Sequence, residues 1–374
     1  MYILPVVQKQ HGLFKASLLS AGVLSCAFAT ASLADQAVQG PVKPIEVNQA
    51  KAELGKRLFF DPRLSGDAEL SCSSCHIPEK AFSDGKELSD AYPGSLGFRN
   101  TPTLVNTAYR KAWFHDGRQG TNLNDVTREM ITETYLMNMD MRLMQERIKQ
   151  DPVYVDLFKK AGLGEPSNGG VRKAIPEYLK TLTSRNSPFD KGEMSASAAR
   201  GYELFKGKAG CVSCHSGDTF TDDMPYNTGV PQNTTIYEDP LRHVTYVTYA
   251  KFMGIENYMN IREDVGAYVR THRNEDKGKF MTPSLRELTF TGPYMHNGTF
   301  ESLDAIISFY NTGGGDHPNK DPRIKDLNLN ALEQKDLVNF LKSLSGDPLT
   351  GPEFVPEEID TEYEAITDWN NAVN

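Results

Sequence analysis

The sequence predicts a mainly α-helical protein built from two halves related by internal duplication. Three observations carry this. Few stretches alternate with period two, whereas apolar residues recur at helical spacing. Two Cys-x-x-Cys-His motifs occur, Cys72-Ser73-Ser74-Cys75-His76 and Cys211-Val212-Ser213-Cys214-His215. Matching blocks follow each motif: Thr101-Pro102-Thr103-Leu104 answers Thr282-Pro283-Ser284-Leu285, and His115-Asp116-Gly117 answers His296-Asn297-Gly298. Thr and His stand fourteen residues apart in both halves. Agreement at three landmarks marks a repeat.

The elements follow in chain order. A helix over residues 48–60 runs into the first motif, with Leu54, Leu58 and Phe59 on one face. Its counterpart covers 195–206, with Tyr202, Leu204 and Phe205. The His blocks lead into helices over 122–137 and 302–310. Further helices are expected over 139–149, 175–183 and 331–344. Asn330 is placed to cap the last, with Glu333 completing a capping-box pattern. Residues 217–279 read as a long Tyr-rich connection with weak periodicity, and such loops are usually functional or disordered.

The N-terminus reads as a secretory signal over residues 1–34. Lys9 and Lys15 precede an apolar run over 16–29, and Ser32-Leu33-Ala34 offers a cleavage site. Cys26 weakly resembles a lipid-attachment cysteine, but the apolar run continues past it. No later segment is long and apolar enough to span a bilayer. The remaining divisions are 35–185, 186–350 and an acidic tail over 351–374. The 374 residues are 39% hydrophobic, sufficient for a core, and the net charge of -9 argues against nucleic acid and anionic membranes as partners.

Five cysteines are present, and removing the leader with Cys26 leaves the four in the two motifs. Covalent haem c needs two thiols at this separation for the porphyrin vinyl groups and an adjacent His beneath the iron. A structural zinc would need four converging ligands. A thioredoxin-like site would need one Cys-x-x-Cys in a βαβ unit. Each half is therefore read as a cytochrome c-like haem domain. Cys72, Cys75, Cys211 and Cys214 attach the haems, and His76 and His215 ligate the irons.

Further motifs carry a family resemblance: Leu54-Gly55-Lys56-Arg57-Leu58-Phe59-Phe60-Asp61-Pro62, Arg99-Asn100-Thr101-Pro102-Thr103-Leu104, Phe114-His115-Asp116-Gly117-Arg118 and Gly292-Pro293-Tyr294-Met295-His296-Asn297-Gly298. With the haem motifs they resemble the bacterial dihaem cytochrome c peroxidase and MauG family across nearly all of the mature chain. The resemblance implies that the N-terminal haem meets hydrogen peroxide and that a six-coordinate C-terminal haem relays electrons. It also implies an interdomain calcium held by the Asn100 side chain and the carbonyls of Thr291 and Pro293. Oxygen ligands suit that cation. The family's sixth ligand to the second haem, Met in classical peroxidases and Tyr in MauG, falls on Tyr310. Met295 and Met281 are the alternatives. A phenolate stabilises ferric iron, whereas Met raises the potential.

The chain departs from the family pattern in the first half. No histidine lies between His76 and His115, which favours an open peroxidatic iron. The family's Trp between the haems is replaced by His115, with Trp113 two residues earlier; either is a candidate relay. The family's distal Glu, an acid/base for O–O cleavage, is replaced by Leu136, and Glu133 is expected to stand in for it. Glu129 lies one turn further upstream. The repeat carries Tyr310 onto Glu129, or onto Met130 if one residue is inserted over 119–122. Met130 would then close the first haem.

The expected activity is a periplasmic, MauG-like oxidation of a protein substrate driven by hydrogen peroxide. The alternatives are a peroxidase drawing electrons from a small cytochrome or copper protein, and a non-catalytic dihaem carrier. A monomer or homodimer is expected.

Overall fold

The computed structural model describes residues 40–120 and 122–356. The leader over 1–34 and most of the acidic tail lie outside the described residues. The helices in chain order are α1 Gln49–Phe60, α2 Leu123–Thr132, α3 Met141–Lys149, α4 Pro152–Lys160, α5 Asn168–Leu179, α6 Pro188–Lys191, α7 Ala196–Lys206, α8 Thr235–Glu238, α9 Pro240–Phe252, α10 Tyr268–Thr271, α11 Leu303–Asn311 and α12 Ala331–Lys342. One small antiparallel ladder joins β1 Pro225–Tyr226 to β2 Phe280–Met281, pairing Pro225 with Met281. The fold is mainly helical, as the periodicity requires.

Each half rests on one close helix crossing. In the N-terminal lobe α1 crosses α5 at Gly55, where a Cβ would lie 2.0 Å from the Ala174 carbonyl oxygen. In the C-terminal lobe α7 crosses α12 at Gly201, where a Cβ would lie 2.0 Å from the Asp336 carbonyl oxygen. Only glycine permits that approach. Leu54, Leu58 and Phe59 pack on Val171 and Tyr178 in the first lobe, and Phe205 packs among Leu337, Phe340 and Leu344 in the second. Asn330 caps α12 and Glu333 reaches back to the Asn330 N–H, closing the expected capping box.

Three expectations need correction. The helix over 122–137 stops at Thr132, because the Glu133 carbonyl accepts from both Leu136 and Asn138 N–H and turns the chain. The helix over 175–183 is displaced to Asn168–Leu179; Gly169, Gly170 and Pro176 inside it obscure its propensity. The connection over 217–279 is not an extended loop. It holds α9, started by Pro240 and capped by Asp239, whose Oδ1 accepts from Leu241 N–H and Arg242 N–H. The buried face of α9 is Thr245, Tyr246, Tyr249 and Ala250. Tyr and Thr give little apolar periodicity, so the helix was illegible to hydrophobic patterning. This face forms a third cluster with Leu88 and Phe98 of the first lobe. Among the described residues, no helix is long and apolar enough to cross a membrane.

Candidate haem and peroxide site

Both Cys-x-x-Cys-His motifs begin in a single 3-10 turn, Cys72–Ser74 and Cys211–Ser213. The turn returns each His N–H to the first cysteine's carbonyl, at 2.9 Å in both lobes. The chain then folds back through Phe82 and Phe220, with φ of 58° and 54°. Their carbonyls meet the imidazoles: His76 Nδ1 lies 2.9 Å from Phe82 O, and His215 Nδ1 lies 3.0 Å from Phe220 O. A carbonyl only accepts, so each Nδ1 carries the proton and each Nε2 keeps its lone pair for iron. Burial, the largest influence, lowers both imidazole pKa values and keeps the rings neutral. The backbones of Pro102 and Pro283, from the repeated Thr-Pro blocks, also act on these rings.

The four thiols are free of disulfides. Burial pushes Cys72 and Cys211 up to about 12, and Cys75 up to about 11. Thioredoxin-like chemistry needs a depressed thiol pKa, and burial moves these thiols the other way. Free paired thiols beside a neutral imidazole with an available Nε2 fit covalent haem at both sites.

Tyr310 lies near the end of α11, which Ser302 caps through Ala305 N–H. Its phenol is pushed up to about 12, first by burial and further by the Cys211 and Cys214 thiols, while a Thr228 hydrogen bond opposes the rise. Leu303, Ile306 and Ile307 of α11 share one apolar cluster with Cys211, so Tyr310 lies on the helix packed beside the second motif. Met281 is buried elsewhere: its sulfur packs on Gly117, 2.5 Å from where a Cβ would stand, and its N–H donates to the His115 carbonyl at 2.8 Å. Met295 lies in the loop before His296 with φ 72°.

The lobes meet through the repeated blocks. Asn100 N–H donates to His296 O at 2.9 Å, and Met281 N–H donates to His115 O at 2.8 Å. Asn100 and Met281 hold equivalent positions before the Thr-Pro pairs, so this is a reciprocal, pseudo-two-fold contact. The His115 and His296 rings are 6.5 Å apart between centroids, and Phe280 stacks on His296 at 3.5 Å. His115 Nε2 donates to Asn100 O at 2.9 Å. Burial, with help from Arg99, holds His115 down at about 4; burial likewise holds His296 at about 3. Trp113 is tied within its own lobe, its Nε1 donating to Thr107 O at 3.0 Å. His115, rather than Trp113, is thus the residue in this pair at the crossing.

A buried charge network surrounds this contact. Arg99 Nη1 donates to Asp116 at 2.5 Å, and its Nε and Nη2 donate to Asp264 at 2.6 and 2.8 Å. Tyr249 Oη donates to Asp116 at 2.5 Å. Burial pushes Asp116 up, but Arg118 and Arg99 outweigh it and hold the carboxyl well below the usual range. Sequence reasoning did not single out Arg99, Asp116, Arg118, Tyr249 or Asp264. The Arg-Asn-Thr-Pro and Asp-Gly-Arg motifs contained three of them, but their partners in the 217–279 segment gave no signal.

The two candidate acids part company. Glu133 caps the end of α2, and its Oε1 accepts from Thr134 N–H at 2.9 Å in an exposed setting. Glu129 turns inward, accepting from Arg118 Nε at 2.6 Å and from the Gln119 amide. Leu136 lies in the turn after α2. Asn100 commits its Nδ2 to Lys86 O at 2.6 Å, and its N–H donates to His296 O, three residues beyond Pro293 in the chain.

Comparison with known proteins agrees with this architecture. The family model described as di-haem cytochrome c peroxidase matches residues 49–197. The chain is 44% identical over 357 residues to cytochrome-c peroxidase IdrP2 of Denitromonas iodatirespirans, covering 91% of this chain and 96% of that one. It is 35% identical over 308 residues to methylamine utilization protein MauG of Methylorubrum extorquens, covering 80% and 79%. A crystal structure of a MauG-like protein associated with microbial copper homeostasis superposes with a TM-score of 0.70 at 27% identity, over 85% of this chain and 96% of that one. Two Cys-x-x-Cys-His sites with matching proximal geometry and this similarity over nearly the full length place the chain in the di-haem cytochrome c peroxidase and MauG family of oxidoreductases.

Proposed function

We propose that this chain reduces hydrogen peroxide in the periplasm at the His76 haem, using electrons delivered through the His215 haem by a small cytochrome or copper protein. The inequality of the two sites carries the reading: the helix bearing Tyr310 packs with Cys211 of the second motif, whereas no histidine is available between His76 and His115 to close the first. When bound, the haems supply the redox-active irons. Peroxide takes two electrons and two protons and leaves as two waters. The chain's own contribution is positional. Phe82 and Phe220 carbonyls fix the proximal imidazoles, and the reciprocal Asn100–His296 and Met281–His115 bonds fix the lobes together. The neutral His115 ring lies at the crossing between them. Asn100 Oδ1, with the Thr291 and Pro293 carbonyls, is assigned to a calcium that would brace this junction.

The test is steady-state oxidation of reduced cytochrome c by the holoprotein, before and after chelation of divalent cations. The expected result is peroxide-dependent turnover with two donor molecules oxidised per peroxide, falling on chelation and returning with calcium. Absence of turnover with both cytochrome and copper-protein donors contradicts the peroxidase reading. Undiminished turnover after chelation contradicts the calcium assignment.

Tyr310 favours a second reading, MauG-like oxidation of a protein substrate. A hard anionic ligand stabilises oxidised iron, suiting a haem that holds oxidising equivalents for transfer to a side chain. It predicts that peroxide produces a long-lived oxidised protein in the absence of donor, and that adding a small cytochrome does not accelerate peroxide loss.

A further inference from the structure

The two lobes repeat: α11, which carries Tyr310, packs in one apolar cluster with Cys211, and α2 packs in one with Cys72 through Leu123 and Ile131. Counting from the His blocks selects Glu129, fourteen residues after His115, as Tyr310 is fourteen after His296. The helix caps select a different residue. α2 is capped by Asn122 through Asp125 N–H, and α11 by Ser302 through Ala305 N–H. Tyr310 is eight residues beyond its cap, and the residue eight beyond Asn122 is Met130.

Burial decides between them. In α11 the buried positions are Leu303 and Ile307, one and five residues beyond the cap. In α2 the same positions hold Leu123, packed against the first core, and Thr127, which is buried. The helices therefore share one register when aligned on their caps. The extra residue lies before α2, where seven residues separate His115 from Asn122 but six separate His296 from Ser302. Glu129 is excluded on separate grounds, since its carboxylate is spent on Arg118 and Gln119. Met130 and Tyr310 are both half-buried, on matching helix faces.

We propose that Met130 stands over the His76 haem as Tyr310 stands over the His215 haem, and that its thioether caps the first iron in the resting ferric protein. The inference concerns resting coordination; its consequence for turnover rests on the peroxidase reading above. A thioether is a neutral, soft donor and binds ferric iron weakly. Met130 is thus a displaceable lid, where a phenolate would be a durable ligand. A small ligand must displace the sulfur before it reaches the iron, so Met130 sets access to the first haem. The residue is a positioning and gating element of the site, not a proton donor.

The test uses the ferric holoprotein, read by EPR, by the near-infrared sulfur-to-iron absorption of thioether-ligated haem, and by cyanide binding. The wild type is expected to show two low-spin haems and the near-infrared band. Met130→Ala is expected to abolish the band, convert one haem to high spin and speed cyanide binding at least tenfold, with the other low-spin signal intact as evidence of folding. Met130→His supplies a second variant and is expected to remain low-spin with a changed signal. Met137→Leu, in the same core, is expected to change neither signal nor rate. A wild type with one haem already high-spin and unaltered by Met130→Ala overturns the proposal, as does loss of the band in Met137→Leu. If Met130→Ala opens the haem but peroxide is still not consumed, the cap stands and the peroxidase reading falls.

Discussion

Tyr310→Met is expected to raise the reduction potential of the C-terminal haem by on the order of 0.2 V, within the roughly 0.8 V range that axial ligands span. The phenol already lies in the electrostatic reach of Cys211 and Cys214, and burial favours its neutral form when no iron is present. With iron held by His215, the Tyr310 phenolate would be the favoured form instead. The hard anion then favours the oxidised metal, whereas a thioether favours the reduced one. Spectroelectrochemical titration of both haems checks the result. The first haem's potential should move far less than the second's. An unchanged second potential means that Tyr310 is a packing residue.

Arg99→Met is expected to cost about 3–5 kcal/mol of stability, the penalty for stranding buried charge. Arg99 is the common partner of Asp116 and Asp264, which are 0% and 2% exposed in their side chains. Asp116 retains Arg118 and Tyr249 after the substitution, but Asp264 loses its pair of charged hydrogen bonds. The loss should depend on pH. With Arg99 present, burial pushes Asp264 up but Arg99 outweighs it, so its carboxyl titrates below the usual range. That contribution is full above the unfolded carboxylate pKa of about 4 and fades as pH falls below it. In the variant, burial acts without the guanidinium and the folded carboxyl pKa rises above the unfolded one. The folded state then gains protons first as pH falls, so the deficit should shrink from pH 7 towards pH 5. Urea denaturation at the two pH values measures it. An equal deficit at both would assign the loss to packing.

Much of this molecule was legible in its residues because covalent haem attachment leaves a fixed spacing. The two motifs, the two lobes and the helices α1, α7 and α12 follow from that spacing, from apolar periodicity and from the Asn330 cap. The segment over 217–279 was not legible. The buried face of α9 is Tyr and Thr, and the interaction that anchors the segment, Asp264 with Arg99, spans 165 residues of chain. Hydrophobic periodicity sees neither. The equivalence of α2 and α11 was half legible: the repeat showed that two helices correspond, but not whether Glu129 or Met130 matches Tyr310. Cap geometry and burial settle the register because both depend on where the helix starts. The setting of Glu133 was hidden for the same reason, since a helix continued through 137 would carry it on its face, whereas α2 stops one residue before it.

The two haems are expected to be unequal, with His76 serving the exchangeable one. A crystal structure of the ferric holoprotein soaked with cyanide tests this most directly. The prediction is cyanide on the His76 haem, with the Met130 thioether swung aside and Tyr310 still over the His215 haem. Cyanide on the His215 haem, with Tyr310 displaced and the first haem unchanged, would contradict it.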